Sequence, residues 1–488
     1  MVVRRAAVAV VIATLVPLAA ACGSSAPPDV VTAYVPGNDA AAIEAVAVGC
    51  ADTGNRITVV RLPKDADGQR LQLARRLAGG DSSVDVFAMD VTWTAEFADA
   101  GWASPVPDGL AASLRKATLG GPLRTATWRR PTDSAPRLYA APTWSNTQLL
   151  WYRPDLLRRY VRRKTPPKTW DELLADNAVI ANAVTARNAT LPPAQRMQVP
   201  SYIMVQGAQY EGLVVWFNSV LASAGGSVLD PNDPTKVTLA DTAAHRAATV
   251  RALTVLKAVA TAPGADPSLS NNTEDPARLG MERGQAAFAL NWPYVYSSMR
   301  SNAATGTDEN QQVPFFPEMR RFAPLFAPDA PAPSPADLAR ANRVLSKRFA
   351  YAPYPGVESL LPARSTLGGM NLAVSTRSRK TDRAWRAVQC LTGVDAQRHY
   401  ALKASQPPAA AVLYDEPGLR SAFPMADLLR RQLGDEHAAP RPATPVYSTL
   451  STMLAAKLHP VGAWDPDQLV DVLAEAARKA LAGEGLVP

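Results

Sequence analysis

The stretch VVTAYVPGNDAAAIEAVAVGC, residues 30–50, opens an alternation that decides the fold. Its first seven residues are apolar and largely β-branched, the composition of a buried strand. Residues 40–48 then read as a helix. RITVVRL (56–62) is a second strand and QRLQLARRLA (69–78) a second helix. In that helix Leu73 with Leu77, and Ala74 with Ala78, share a face, and Gly79-Gly80 ends the run. VDVFAMD (84–90) is a third strand and WTAEFADAGW (93–102) a third helix. Such alternation predicts a parallel sheet with helices on both faces. Ligands of such sheets collect beyond the carboxyl ends of the strands. Tyr34, Asn38 and Asp39 fall at or just past the end of the first strand, and Asp90 closes the third, so topology alone makes them candidates for a site.

Outward from this unit the pattern loosens. LYAAPTW (138–144) reads as a crossing segment and residues 148–152 as a strand. Thr169, with Glu172 three positions on, predicts a capping box. Residues 210–224 are an apolar helix stopped by Gly225-Gly226, and residues 279–290 run as one segment into Asn291-Trp292-Pro293. Seven prolines between 314 and 335 predict a loop without regular structure. Residues 367–374 read as a strand and 382–391 as a helix bearing Cys390. Residues 424–488 read as helical, including 448–458 and 467–481, and no internal repeat is visible.

The 488 residues leave room for two large domains or about three ordinary ones. With 47% hydrophobic and 19% charged residues the chain is globular, not disordered or collagen-like. The net charge of +8 is spread without a run of five like charges, which predicts a mildly basic surface and no nucleic-acid partner. His245, His399, His437 and His459 stand alone, so no metal is expected. No phosphate-binding loop, zinc-protease or serine-hydrolase motif is present, and no cofactor is expected.

Residues 1–22, MVVRRAAVAVVIATLVPLAAAC, have a basic start, an apolar run too short to span a bilayer comfortably, and small residues before Cys22. The ending Ala19-Ala20-Ala21-Cys22-Gly23 resembles a bacterial lipobox, with Ala19 where leucine is usual. That resemblance implies cleavage before Cys22, diacylation of its thiol-bearing residue, and a soluble body held at the outer face of the cell membrane by an acyl anchor. Residues 23–28 would be a polar tether. A cleaved secretory signal with an incidental cysteine is the alternative. Outside the membrane disulfides persist. Cys50 and Cys390 are then the only possible partners, either bonded or as two buried thiols.

The order of WTAEFADAGW, LYAAP, PPKTWDELL, ALNWPY, FAYAPYP, LGGMNLAV and RPATPVY along the chain resembles the extracytoplasmic solute-binding proteins of carbohydrate ABC importers. Within these it is most similar to the trehalose-binding lipoproteins of mycobacterial importers, through QRLQLARRL, DVTWTAEFADAGWA, NTQLLWYRPDL, EGLVVWFN, SAGGSVL and PGADPS. The resemblance implies an α/β, two-domain periplasmic-binding-protein-like fold of the maltose-binding-protein type (type II-like), with hinge crossings and a ligand cleft between lobes. It implies an N-terminal lobe of residues 29–142 plus 353–402 and a C-terminal lobe of 143–352 plus 403–488. It also implies permease subunits and an ATPase as partners.

A disaccharide is neutral and rich in hydroxyls, so its site needs carboxylates, amides and arginine for the hydroxyls and aromatic faces for the rings. The resemblance assigns Asn38, Asp39 and Asp90 as hydroxyl acceptors from the first lobe, Asn146 as a bidentate amide and Glu274 as an acceptor from the second. It assigns Trp292 as a stacking platform, Gly369 as a point of close backbone approach and Arg441 as a forked donor. Tyr34, Tyr210 and Tyr296 are lesser candidates, and Trp93, Trp102, Trp170 and Trp216 are expected in cores. A binding protein for trehalose or a related disaccharide such as maltose, without enzymatic activity, is the expectation. An anchored glycoside hydrolase using Asp90 and Glu274, and a surface protein with its proline-rich loop as contact, are the alternatives.

Overall fold

The computed structural model describes residues 29–484, apart from 52–53, 55, 309–310, 313–315 and 435–436. The leader, the lipidation site at Cys22 and the tether lie outside the described residues. Among the described residues no helix is long and apolar enough to cross a membrane.

The opening alternation forms as read. Strand Val30–Pro36, every residue buried, lies between Arg56–Leu62 and Val86–Asp90 and is parallel to both. The intervening helices Ala40–Cys50 and Ala66–Ala78 cover the sheet, the second ending before Gly80 at φ +74°. Strand Ser365–Val374 extends the sheet antiparallel to Val86–Asp90, with Met370 opposite Asp90. Its first two residues pair instead with Ala438–Ala439, and along its other edge runs Ala141–Thr147.

A second sheet holds Ala350–Ala352, Leu149–Tyr152, Ala286–Asn291 and Tyr202–Met204 in that order. Ala141–Thr147 leads almost directly into Leu149–Tyr152, so the chain steps from one sheet to the next there. One core draws on residues 31–144 and 370–400, and two others on residues between 149 and 480. Trp170 and Trp216 are fully buried in the second group and Trp93 in the first, where Trp102 packs partly buried. Cys50, ending one helix, and Cys390, in helix Thr381–Leu391, are joined as a disulfide within the first core.

Three readings are corrected. Residues 279–290 are two elements, helix Glu274–Glu282 and strand Ala286–Asn291, because Gly284 at φ +78° breaks the run. The proline-rich stretch carries a 3₁₀ helix at Pro317–Leu325 and starts helix Pro335–Leu345, where proline is tolerated at the first turn. The capping box is half formed. The Thr169 hydroxyl accepts from Glu172 N at 3.2 Å, but the Glu172 carboxylate accepts from Lys168 N at 2.7 Å, one residue before the cap.

Candidate functional site

Two groups of polar side chains stand at and beside the ends of strands from both sheets. The first centres on Arg441, just past strand Ala438–Ala439. Its side chain is 6% exposed. One nitrogen donates to the Glu211 carboxylate at 2.7 Å and another crosses to Asp90 Oδ1 at 3.1 Å. Glu211 opens helix Glu211–Ser223 and also accepts from the Tyr447 hydroxyl at 2.5 Å and from Ser451. Asp90 Oδ1 further accepts from Thr92 N at 3.0 Å and the Thr92 hydroxyl at 2.8 Å. Burial opposes the Arg441 charge, but Asp90, Tyr447 and Glu211 outweigh it and raise its pKa.

This changes the expected roles of two residues. Asp90, read as a sugar acceptor, spends one oxygen on Thr92 and Arg441. Arg441, read as a sugar donor, spends both terminal nitrogens on carboxylates. Together they tie the end of strand Val86–Asp90 to the start of the helix bearing Glu211.

The second group centres on Glu274, in the first turn of its helix. Burial pushes its carboxyl above the usual range, and its own backbone N–H, Tyr210 and Trp292 hold the shift back. Tyr210 is pushed well up by burial and then by Glu274, Tyr294 and Glu211, so it feels both groups at once. A Cβ at Gly212 would sit 2.1 Å from the Tyr210 hydroxyl, so only glycine lets the ring fold back over the helix start. Asn291, ending the last strand before Trp292, clamps the site: its amide donates to Glu274 O at 2.9 Å and its oxygen accepts from Trp292 N at 2.8 Å. Asn146 lies opposite Gly368 in the crossing pair. A Cβ on Gly368 would lie 2.5 Å from Asn146 Oδ1 and 3.0 Å from the Trp292 ring. Thus Gly368 brings Asn146 and Trp292 together.

Gly369, read as a point of close backbone approach, is also required by the strand pairing. Its φ of +138° and a Cβ that would meet Trp144 O at 2.4 Å make glycine a requirement of strand pairing. Asp39 is buried and accepts from Gln406 Nε2 at 3.1 Å; burial still leaves its carboxyl raised. Asn38 beside it is exposed. Tyr34 and Tyr296 pack in cores, 5% and 2% exposed, the latter on Trp151 and Phe349. Sequence reasoning missed Glu211, Tyr447, Ser451, Gln406 and Gly368. Three of them stand in motifs of the resemblance, Glu211 in EGLVVWFN, Gly368 in LGGMNLAV and Tyr447 in RPATPVY, where they drew no role. A lone acid in a helix first turn, such as Glu211, reads as a dipole partner and nothing more.

The description "bacterial extracellular solute-binding protein" matches the chain over residues 36–398. A probable ABC transporter-binding protein of Deinococcus radiodurans is 27% identical over 425 residues, which are 84% of this chain and 82% of that one. Among solved structures, maltose-bound MalE3 of T. maritima is similar at TM-score 0.68 and 23% identity, covering 92% of this chain and 99% of its own. The sugar-binding protein MalE of Xanthomonas citri is similar at 0.67 and 20%, covering 93% and 98%. The GacH receptor of Streptomyces glaucescens, solved unliganded and with acarbose, is similar at 0.66 and 19%, covering 93% and 99%. The architecture is two-lobed and maltose-binding-protein-like, and the chain belongs to the bacterial extracellular solute-binding proteins.

Proposed function

We propose that this protein captures a disaccharide, trehalose first among candidates, and passes it unchanged to the permease subunits of an ABC importer whose ATPase drives uptake. The single observation that carries the reading is the gathering of Asn146, Trp292 and the buried Glu274 carboxylate around Gly368 and Tyr210. Asp39 and Asp90 stand at strand ends of the first sheet. Asn146 and Gly368 of that same sheet lie against Trp292, which with Tyr210 hydrogen-bonds Glu274 from beside the second sheet. In this reading residues 29–142 plus 353–402 form one lobe and residues 143–352 plus 403–488 the other. Sugar hydroxyls donate to Asp39, Glu274 and the second oxygen of Asp90, Asn38 waits at the rim, and Trp292 covers a glucose ring. Asn146 supplies the amide, while Arg441 and Gly369 shape the site. Because both lobes touch one ligand, sugar shifts the population toward closure.

The preference for trehalose rests on the resemblance to mycobacterial lipoproteins of the LpqY type, as does the acyl anchor at Cys22 on the outer membrane face. MalE3 of T. maritima, solved with maltose, and GacH, solved with acarbose, support a carbohydrate ligand in general. Calorimetry against trehalose, maltose and other glucose disaccharides tests the reading, with small-angle scattering for closure. Saturable binding, a smaller radius of gyration and no glucose released on incubation are the expected results. Indifference to every saccharide would end it.

A further inference from the structure

A cavity of about 1340 Å³ opens between the two bodies, and of the residues assigned to the sugar site only Arg441 lines it. Its place follows from strand Ser365–Val374. Gly368 faces Asn146 and Trp292, whereas its neighbour Leu367 lines the cavity. Successive side chains of a strand point to opposite faces. The cavity is therefore behind the crossing strand, with the Asp90–Arg441 pair as part of the partition.

Both lobes build it, Thr92 and Trp128 from one side and Asn218 and Leu229 from the other. Its wall is largely apolar, through Val91, Leu123, Leu138, Leu361 and Pro440. Its rim is cationic. Arg115 and Arg364 have no carboxylate partner among the described residues, and Arg129 meets only the Asp133 carbonyl, at 3.5 Å. The one acid in the lining, Asp230, faces Lys236 at 3.9 Å. Deep inside, the buried Asn218 amide donates to the Thr366 hydroxyl at 3.0 Å, while its oxygen accepts no hydrogen bond among the described residues. Uncompensated guanidinium groups at the edge of an apolar wall match a molecule with an acidic head and an apolar body.

We propose that this cavity is a second ligand site, for an amphipathic organic anion, and that its occupant favours the closed sugar cleft. The lobes turn about the crossing strands, with the cleft on one face and the cavity on the other. The cleft cannot open without the cavity narrowing, and a filled cavity resists narrowing. The coupling rests on the closure described for the sugar; the binding of the anion does not.

The test uses the whole protein without sugar and octanoate as probe, with octyl sulfate as a second acid and octanol as the neutral control. Calorimetry should give about one octanoate per chain, with octanol at least about tenfold weaker, a difference one charge-assisted contact supplies. Arg115→Gln combined with Arg364→Gln should cost about tenfold in octanoate affinity while the thermal midpoint stays put. Octyl sulfate should follow octanoate. Octanoate alone should shrink the radius of gyration, and at saturation it should tighten trehalose binding by the factor by which trehalose tightens octanoate. Equal binding of octanol, many weak sites, or indifference to the two arginines overturns the site. One tight octanoate with an unchanged radius overturns the coupling.

Discussion

Breaking the tie between Asp90 and Arg441 should loosen closure, and the structure allows the size to be worked out. The two groups are 3.1 Å apart, with Arg441 6% and Asp90 29% exposed. At an effective dielectric of about 20 their gross attraction is about 5 kcal/mol. Desolvation and the partial exposure of Asp90 cut that to the net worth of a charge-assisted bond, about 1.5–3 kcal/mol. In Asp90→Ala, Arg441 keeps Glu211 at 2.7 Å, so no unpaired buried charge is created and the lower half of the range applies; Arg441→Met takes the cation from both carboxylates, and the upper half applies. Asp90→Ala and Arg441→Met should each lower trehalose affinity about tenfold or more, through a smaller closed population. Combined, they should lose less than the sum, with a coupling of about 1–2 kcal/mol. The assay is calorimetric affinity for the four members of the cycle, beside scattering for the unliganded forms. The shielding of Arg441 means that coupling should survive a rise in salt. Additive effects, with coupling below about 0.5 kcal/mol, would show that the two residues act on the sugar separately and that the tie is incidental.

Other outcomes follow from individual contacts. Glu274 and Asp39 have carboxyls raised by burial, so both regain protons on mild acidification before an ordinary carboxylate does. Sugar affinity should fall as pH drops through those raised values, whereas the two groups' own contribution to folding stability moves the other way, because the folded chain holds these protons more tightly than the unfolded one. Calorimetry across buffers should also find protons released when sugar binds. Gly368→Ala should weaken sugar binding through its clash with Asn146 and Trp292 while the chain still folds; Gly369→Ala, set against the Trp144 carbonyl at positive φ, should lower the melting temperature. Replacing Cys50 and Cys390 by alanine opens a link between residues 340 apart. It should cost about 2–5 kcal/mol in denaturant unfolding and leave sugar affinity within error, since neither cysteine touches the site.

What the sequence disclosed followed from periodicity. The first three strands lie at or within two residues of their reading because their runs are continuous, β-branched and bounded by Gly, Pro or Asp. The helix–strand break at Gly284 was not legible, because a single glycine after Glu282-Arg283 is the turn's whole local signal and no proline or Asn/Asp accompanies it. The 3₁₀ helix at Pro317–Leu325 was hidden by its own prolines: Met319 and Phe322 bury one edge of it, a packing fact with no local signature. Candidate residues were legible where a strand end or a quoted motif marked them, as with Asp39, Asp90 and Trp292. Their partners were not. Glu211 and Arg441 are 230 positions apart, and nothing in either neighbourhood announces the other.

That distinction ranks the acceptors. A buried carboxylate gains most from a sugar hydroxyl where no cation already compensates its charge. Glu211 holds three protein donors and one oxygen of Asp90 holds another three. Their charges are already met. Glu274 and Asp39 are in the opposite state: neither has a cation beside it, and burial pushes both carboxyls up in pKa despite the neutral donors they hold, Gln406 on Asp39 and its own backbone N–H, Tyr210 and Trp292 on Glu274. A sugar that donates to them relieves a cost the empty protein carries, so most of the binding energy should arise there, while Glu211, Arg441 and Asp90 fix the geometry that brings the two together. Glu274→Gln keeps the shape and removes the charge, and should cost more affinity than Asp90→Asn, which still accepts from Thr92. If Asp90→Asn proves the costlier by tenfold, the compensated carboxylate is the one that reads the ligand, and the ranking by uncompensated charge is wrong.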